Sequence, residues 1–170
     1  MKKVPLTELD PRLQKQITAA DQQLKANPQY AVEVLTGILV RNPGCIEVRR
    51  TLRKAQKALH GTKKGLFDGI TGALTSGKIA KSVEADPLAA IAAAEEVLAK
   101  KPIDANANKT IALAAIKLEF HELAAFAYEE LCTNEPTEIQ HFVDLANVWI
   151  AAGENDNALN AADKGLKLFP

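Results

Sequence analysis

The side chains of this sequence that could do chemistry are histidines, cysteines and neighbouring acidic residues. The histidines lie far apart, and neither cysteine has a cysteine or histidine at metal-ligand spacing. Adjacent glutamates on a helix point about 100° apart, so they do not form one acid pair. The sequence therefore predicts no metal site or paired-acid site among these residues: His60, His121, His141, Cys45, Cys132, Glu95-Glu96 and Glu129-Glu130.

Motifs of known enzyme classes are also missing. The sequence has no Ser-His-Asp arrangement, no HExxH, no phosphate-binding loop and no dinucleotide-binding fingerprint. The two distant cysteines are typical of free thiols in a reducing compartment. We therefore expect a protein that is not an enzyme and that uses no cofactor.

Composition indicates the kind of scaffold that carries these residues. Hydrophobic residues make up 47% of the 170 residues and charged residues 25%, which is ordinary for a globular domain, whereas aromatic residues are only 5%. Alanine and leucine dominate, and both favour helices. The net charge is zero, which gives no general attraction to nucleic acid. We see no signal peptide and no apolar run of about 18 residues, so we expect a cytoplasmic protein.

Three prolines mark an internal repeat. Pro102, Pro136 and Pro170 stand at equal intervals along the chain, and each follows a predicted helix that proline cannot continue. Superposing the last two periods aligns several positions. The final period carries Phe142, Leu145, Ala146, Trp149, Gly153 and Ala158, and the period before it carries Ala112, Ala124 and Tyr128, with Asn108 and Ala115 at positions where bulky residues are usual.

This pattern resembles the tetratricopeptide repeat (TPR) family, in which two antiparallel helices recur with a period of about 34 residues. The resemblance covers roughly residues 10–59 and 86–170. It implies an all-α fold whose helix pairs stack as a right-handed α-solenoid, with about eight or nine helices. Asp10-Pro11 and Asp86-Pro87 predict helix starts, because aspartate caps a helix and proline suits its first position. We predict a single domain, 1–170, with repeats at about 10–43, 44–102, 103–136 and 137–170.

The resemblance implies a scaffold that binds a peptide or a helix of another protein in a concave groove. The family's inward-facing positions fall on Gln16 and Ala20 in the first repeat. In the later repeats they give the candidate groove residues Arg50, Lys54, Lys57, Lys109, Leu113, Ile116, Lys117, Val143, Asn147 and Ile150. The family's carboxylate-binding set is not predicted, since Leu113 and Val143 stand where asparagine and lysine are needed.

A basic stripe makes one part of this groove distinctive. Arg50, Lys54 and Lys57 share a face of one predicted helix, within a basic run from Arg41 to Lys64 that contains a single acid, Glu47. Three interpretations are open: a solvated basic helix, a basic groove wall for an acidic peptide, or a nucleic-acid contact. The last is the least favoured, because no aromatic residues interleave the basic ones.

Residues 60–85 interrupt the repeat as a glycine-rich insertion with helical spacing of its apolar residues. Glycine weakens an isolated helix by roughly 0.5–1 kcal/mol per position, so such a segment needs a surface to order it. It is an additional helix on the repeat stack, a mobile loop that binds a partner, or an interfacial membrane helix. Its candidate contact residues are Leu66, Phe67, Ile70 and Leu74.

Two alternatives to the scaffold therefore stay open. The sequence closes a repeat at Pro170 without a polar capping helix, although helical arrays need one to cover the last apolar face. This favours a module that assembles with itself or belongs to a longer array, and the protein is then a homo-oligomer or a fragment. The other alternative, a peripheral membrane module, depends only on the insertion.

Overall fold

The structure is a computed structural model that describes residues 3–61 and 76–169. These residues form helices and connecting turns without any strand, so the predicted all-α class is confirmed for the part described. A 3-10 helix at Leu6–Glu8 precedes nine α-helices in this part: α1 Pro11–Gln22, α2 Pro28–Arg41, α3 Ile46–His60, α4 Ser76–Ala85, α5 Pro87–Lys100, α6 Ala105–Lys117, α7 His121–Asn134, α8 Ile139–Ala151 and α9 Asn155–Leu168.

Side-chain caps explain where several helices begin. The Asp10 carboxylate accepts a hydrogen bond from the backbone N–H of Arg12 at 2.7 Å, and Pro11 opens α1. Asp86 accepts from two backbone N–H groups at 3.0 Å, and Pro87 opens α5. Because proline lacks the N–H that the first turn leaves unpaired, cap and proline reinforce each other. Both predicted helix starts are confirmed.

The period of the prolines is visible in the backbone. Helices α6 and α8 begin one period apart, and so do α5, α7 and α9 in turn. The turn after α6 contains Glu119 at φ 54°, and its equivalent after α8 is Gly153 at φ 76°. In both turns the next residue donates to the same helical carbonyl position: Phe120 to Ala115 at 2.9 Å and Glu154 to Trp149 at 2.9 Å. The period therefore describes a repeated backbone conformation as well as a repeated sequence.

Helix α4 takes a place that the sequence pattern did not assign to it. It directly precedes α5 in the chain, and it packs against both α5 and α6. Its Val83 is buried in the same core as the later helices. Of the three interpretations of residues 60–85, an additional helix on the stack is the one that fits residues 76–85. Helix α3 packs instead against α2, α5 and α7.

Most of the described buried apolar side chains form two clusters. The N-terminal core extends from the end of the 3-10 helix through α3 and is made by Leu9, Ile17, Ala20, Ala31, Leu35, Ile38, Leu39, Cys45, Val48, Leu52 and Ala55. The C-terminal core joins α4 to α9, and Ile46 is its one buried apolar residue from the chain before Gly61, within the residues described. Of the helices described, none is long and apolar enough to cross a membrane.

Candidate functional site

The predicted basic stripe on α3 is largely engaged by the chain itself. The Arg50 guanidinium forms an ion pair with Glu129 of α7 at 2.5 Å and lies over the Phe126 ring, 5.2 Å from its centre. Lys57 pairs with Glu130 at 2.6 Å. Lys54, the third member, is exposed. An acidic peptide at this stripe would therefore have to displace two glutamates of α7.

Two further arginines of α3 lie deeper, and the sequence pattern did not single them out. Arg49 and Arg53 are 3% and 1% exposed, and both form ion pairs with Glu95 of α5. Arg53 also donates to the Pro102 carbonyl at 3.2 Å. Burial lowers the pKa of Arg53 below its ordinary value, and the charge of Glu95 opposes that shift. The sequence did contain one signal for their burial. Arg49 and Arg53 are spaced i, i+4 and lie next to the apolar face formed by Val48, Leu52 and Ala55.

We call this junction the charged seam: Arg49, Arg50, Arg53 and Lys57 on α3, Glu95 on α5, and Glu129 and Glu130 on α7. All its bases come from the N-terminal part and all its acids from the C-terminal part. In the structure each of these four bases is paired with an acid of α5 or α7, although the Arg50 side chain stays 43% exposed. They hold α3 against α5 and α7.

The seam also concentrates the buried polar atoms that lack a hydrogen bond. Within the described part of the chain these atoms belong to α3 and α7: Arg49 Nε, Arg53 Nε, Gln56 Oε1, Glu130 Oε2 and Asn134 Nδ2. Glu130 Oε2 is among them, but its charge is paired with Lys57 Nζ at 2.6 Å. Leaving a buried polar atom unpaired costs roughly 1–3 kcal/mol. The charges of the seam therefore select their partners, but removing its polar atoms from water costs stability.

The candidate residues on α6 and α8 have more open surroundings. Lys109 and Asn147 are exposed, and Lys117 forms an ion pair with Glu84 of α4 at 2.7 Å. Leu113 is half-buried against the C-terminal core. The remaining three are large apolar side chains in contact with solvent: Ile116 at 40% exposure, Val143 at 44% and Ile150 at 60%.

Candidates elsewhere in the chain divide into three groups. Gln16 is exposed on α1. Ala20 is fully buried in the N-terminal core, so its assignment to a groove is wrong: its small side chain lies on the packed face of α1. The insertion candidates Leu66, Phe67, Ile70 and Leu74 lie outside the residues that the structure describes.

An apolar groove runs along α5 and α6, and none of the predicted candidate residues lines it. Its volume is about 680 Å³. Its floor is formed by small or apolar side chains: Ala89, Ala90, Ala93, Ala94 and Val97 on α5, and Ala107 on α6. Charged residues of both signs stand around it: Asp86, Glu96, Lys100, Lys101 and Asp104. We call it the α5–α6 groove.

A second cleft of about 410 Å³ lies between α2, α3 and α5. Leu39, Val40 and Leu88 contribute apolar walls, and Arg49 and Glu95 of the charged seam reach its lining. Val40 and Leu88 are 76% and 55% exposed. The two clefts meet opposite sides of α5, so neighbouring residues such as Ala92 and Ala93 face different clefts.

A third cleft of about 740 Å³ lies beside α7, α8 and α9 and is more polar. Leu145 and Trp149 contribute apolar side chains, whereas Lys164 and Lys167 of α9 add positive charge. One of its walls consists of the charged seam, since Arg50, Glu129 and Glu130 reach its lining. Because these seam residues are already paired with each other or with Lys57, this cleft offers fewer free contacts to a partner than its volume suggests.

The reactive side chains are placed for packing. Burial raises the pKa of the Cys132 thiol to about 11 and that of Cys45 above its ordinary value, which keeps both thiols protonated and weakly nucleophilic at neutral pH. Burial, with the charge of Asp144, raises the pKa of Tyr128 to about 12. Among the described residues no three His, Cys, Asp or Glu side chains converge as metal ligands.

Comparison with known proteins adds no relative from which a site could be transferred. The sequence matches no protein-family model, and no curated protein matches it. The candidate sites therefore depend on the geometry described above.

Proposed function

We propose that this chain is a protein-interaction scaffold that binds a helix or peptide of a partner protein in the α5–α6 groove. The observation that carries the proposal is the groove itself, an apolar cleft of about 680 Å³ on the surface of a helical array. Helical scaffolds bind amphipathic segments in such grooves through a few apolar anchors. On this proposal the pairs α4–α5, α6–α7 and α8–α9 stack as a TPR-like right-handed solenoid.

The lining of the groove suits a helix more than a compact ligand. Ala89, Ala93 and Val97 follow one another at four-residue spacing along α5, and all three are exposed. Because alanine has a single methyl group, the backbone of a partner helix can approach α5 closely. The rim carries Glu96 and Lys100 on α5, charges that would orient the partner's polar face.

The exposed apolar residues of α6 and α8 support a second binding surface for the same function. Ile116, Val143 and Ile150 occupy the inward positions that the family resemblance implies, and Leu113 adds a half-buried side chain. Exposed apolar side chains that cluster on a surface are typical of protein-binding sites. None of these side chains lines any of the three clefts described above. This surface is therefore the second candidate after the α5–α6 groove.

A peptide selection tests the proposal without knowledge of the natural partner. A phage library of random peptides is selected on the wild-type chain, and the affinities of the enriched peptides are measured by fluorescence polarisation. Ala93→Arg should fill the groove and lower affinity at least tenfold, because the new side chain occupies the floor where a partner helix would pack. Ala92→Arg, also exposed on α5, is the matched control, with helicity checked by circular dichroism for both.

The possible outcomes separate the surfaces. Loss of binding in Ala93→Arg alone supports the α5–α6 groove. Loss in Ala92→Arg alone places binding in the cleft between α2, α3 and α5. A third variant, Ile150→Asp, probes the surface on α6 and α8. Loss of binding in this variant alone places the binding site on that surface. Either of the last two results overturns the site, and a selection that enriches no specific peptide overturns the proposed function.

A further inference from the structure

We propose that the acidic surface formed by Glu95 on α5 and by Glu129 and Glu130 on α7, called the acidic cleft below, is an exchangeable docking surface for an arginine-rich helix, and that α3 of a second copy of this chain occupies it in a swapped dimer. Each chain would then donate its own α3 and receive that of its partner. This inference concerns the charged seam and is independent of the α5–α6 groove.

The first observation is that the cores on the two sides of the seam are nearly separate. The apolar face of α3, with Val48, Leu52 and Ala55, belongs to the N-terminal core, where it packs with α1 and α2. Of the described buried apolar residues before Gly61, Ile46 alone joins the C-terminal core. Moving α1 to α3 away from α5 and α7 as one unit would therefore leave the N-terminal core intact.

The second observation is the distribution of charge. Every ion pair of the seam joins a base on α3 to an acid on α5 or α7, and the flanking pair of Lys3 with Glu122 of α7 has the same polarity. The Phe126 ring of α7 lies beneath two guanidinium groups, with Arg50 and Arg53 at 5.2 and 6.0 Å from its centre. Acids around an aromatic floor form a surface that recognises arginine.

The third observation is that the closed seam is incompletely satisfied. The buried atoms without a hydrogen bond on Arg49, Arg53 and Gln56 of α3 and on Asn134 of α7 regain water when the seam opens. Opening also loses ion pairs and the burial of the arginine stems, so the opposing contributions partly cancel. Such a junction should open more easily than the apolar contacts within either core.

A second copy of this chain is a partner that carries the matching arginine-rich helix. The helix known to fit this cleft is α3, and a twofold swapped dimer reproduces each ion pair between chains instead of within one. Swapping identical elements costs little, because the contacts made are those already present. The monomer avoids the entropy cost of association, so the dimer should be favoured as protein concentration rises.

Charge reversal on full-length chains tests this inference. One variant carries Arg49→Glu and Arg53→Glu, and a second carries Glu95→Arg. Each alone brings like charges together at the seam. In an equimolar mixture the altered α3 of the first can dock on the altered cleft of the second, and the unaltered pair forms the other half. After co-refolding from urea we expect a heterodimer of twice the 18.3 kDa monomer mass by light scattering.

A third variant keeps the test decisive. It carries all three substitutions in one chain, and it should fold, because it closes a reversed seam within itself. If this variant folds as a monomer and the mixture gives no species of doubled mass, the seam does not exchange and the inference is overturned. Wild-type protein should show a dimer fraction that increases with concentration, and a monomer at all concentrations also overturns it.

One competing mode of dimerisation is separated by the same material. Leu159 and Leu166 of α9 are 63% and 65% exposed and could bury each other between two copies. A dimer through α9 would form when either charge-reversed variant is measured alone. The substitution Leu166→Glu would abolish such a dimer. A swapped dimer would survive Leu166→Glu and disappear when one type of reversed chain is measured alone.

Discussion

Helices α3 and α8 both pack against α7, but they do so with different side chains. Helix α8 contributes Leu145 and Val148 to the C-terminal core, with Trp149 packed against it. Helix α3 contacts α7 through Arg50 and Lys57, which form ion pairs with Glu129 and Glu130. Apolar contacts gain stability in proportion to buried area and need no particular partner. Buried charges need their partner in place, so the α3 contact is selective for its position and vulnerable to the loss of one group.

Removing the shared acid of the seam should have the largest effect. In Glu95→Gln the buried guanidinium groups of Arg49 and Arg53 lose their counter-charge. We expect the free energy of unfolding to fall by about 3–5 kcal/mol, the range for breaking a buried ion pair from one side. Urea denaturation followed by circular dichroism measures it. Glu96→Gln, at the exposed neighbouring position on α5, should change stability by less than about 0.5 kcal/mol.

A comparable result for both substitutions would contradict this account of the seam. It would mean that Arg49 and Arg53 are already solvated, and the contrast between α3 and α8 would then be one of side-chain type and not of burial.

Replacing the whole cluster by apolar residues should have the opposite sign. In the triple variant Arg49→Met, Arg53→Met and Glu95→Leu, no charge is left unpaired and the unpaired Nε atoms are gone. Such replacements are often neutral or stabilising by about 1–4 kcal/mol. We expect an unfolding free energy at or above that of the wild type in the same urea assay. A loss similar to that of Glu95→Gln would show that the seam stabilises the fold through its charges.

These two variants also bear on what the sequence could show. Helix starts at Asp10 and Asp86 were predictable, because capping is a local interaction between adjacent residues. The repeat period was predictable because Pro102 and Pro136 follow equivalent helices. The partners of α3 were not predictable: a run of arginines gives the charge of a helix, whereas Glu95 and Glu129 are distant in sequence and become partners only through packing.

An additional helix within residues 60–85 was one of the open interpretations, but the position of α4 beside α5 and α6 was not predicted, for a related reason. Counting back one period from α6 places Gly77, Lys78 and Lys81 at positions where the TPR pattern has leucine, a small residue and an aromatic residue. The family signal is therefore absent where the helix lies, and the better apolar pattern of α3 drew the assignment instead. The α5–α6 groove was also missed, because an alanine-rich helix has the same sequence pattern whether its alanines are covered or exposed.

The C-terminal core contains Tyr128, an ionisable group whose titration can be compared with the behaviour of the seam. The raised pKa of Tyr128, about 12 against an ordinary 10, means that the folded chain keeps the phenol proton between pH 10 and 12 while the unfolded chain loses it. This contribution to stability is fully present below pH 10 and decreases as pH rises toward 12, by about 2 kcal/mol.

The substitution Tyr128→Phe should remove that pH dependence. The difference in unfolding free energy between wild type and variant should decrease by about 2 kcal/mol between pH 9 and pH 12, measured by urea denaturation at each pH. Tyr30→Phe, on the exposed face of α2, is the matched control. If the variant follows the wild-type pH profile, Tyr128 is not the buried acid that the packing of α7 implies.

The smallest expected effect tests how closely two helices approach in the apolar region. A Cβ added to Gly165 of α9 would lie 3.1 Å from the Cβ of Phe142 on α8, whereas one added to Gly37 of α2 meets nothing within 4 Å. Glycine to alanine within a helix gains roughly 0.5–1 kcal/mol. Overpacking costs about 1–3 kcal/mol, and the contacted Cβ of Phe142 is attached directly to the backbone of α8, so it can yield only if α8 shifts. Gly37→Ala should therefore stabilise the chain, and Gly165→Ala should destabilise it by about 1 kcal/mol, the balance of these two contributions.

Urea denaturation of both variants measures the difference. If both substitutions stabilise, α8 and α9 have room to separate, and close backbone approach is not what distinguishes their contact from the arginine-bridged contact of α3.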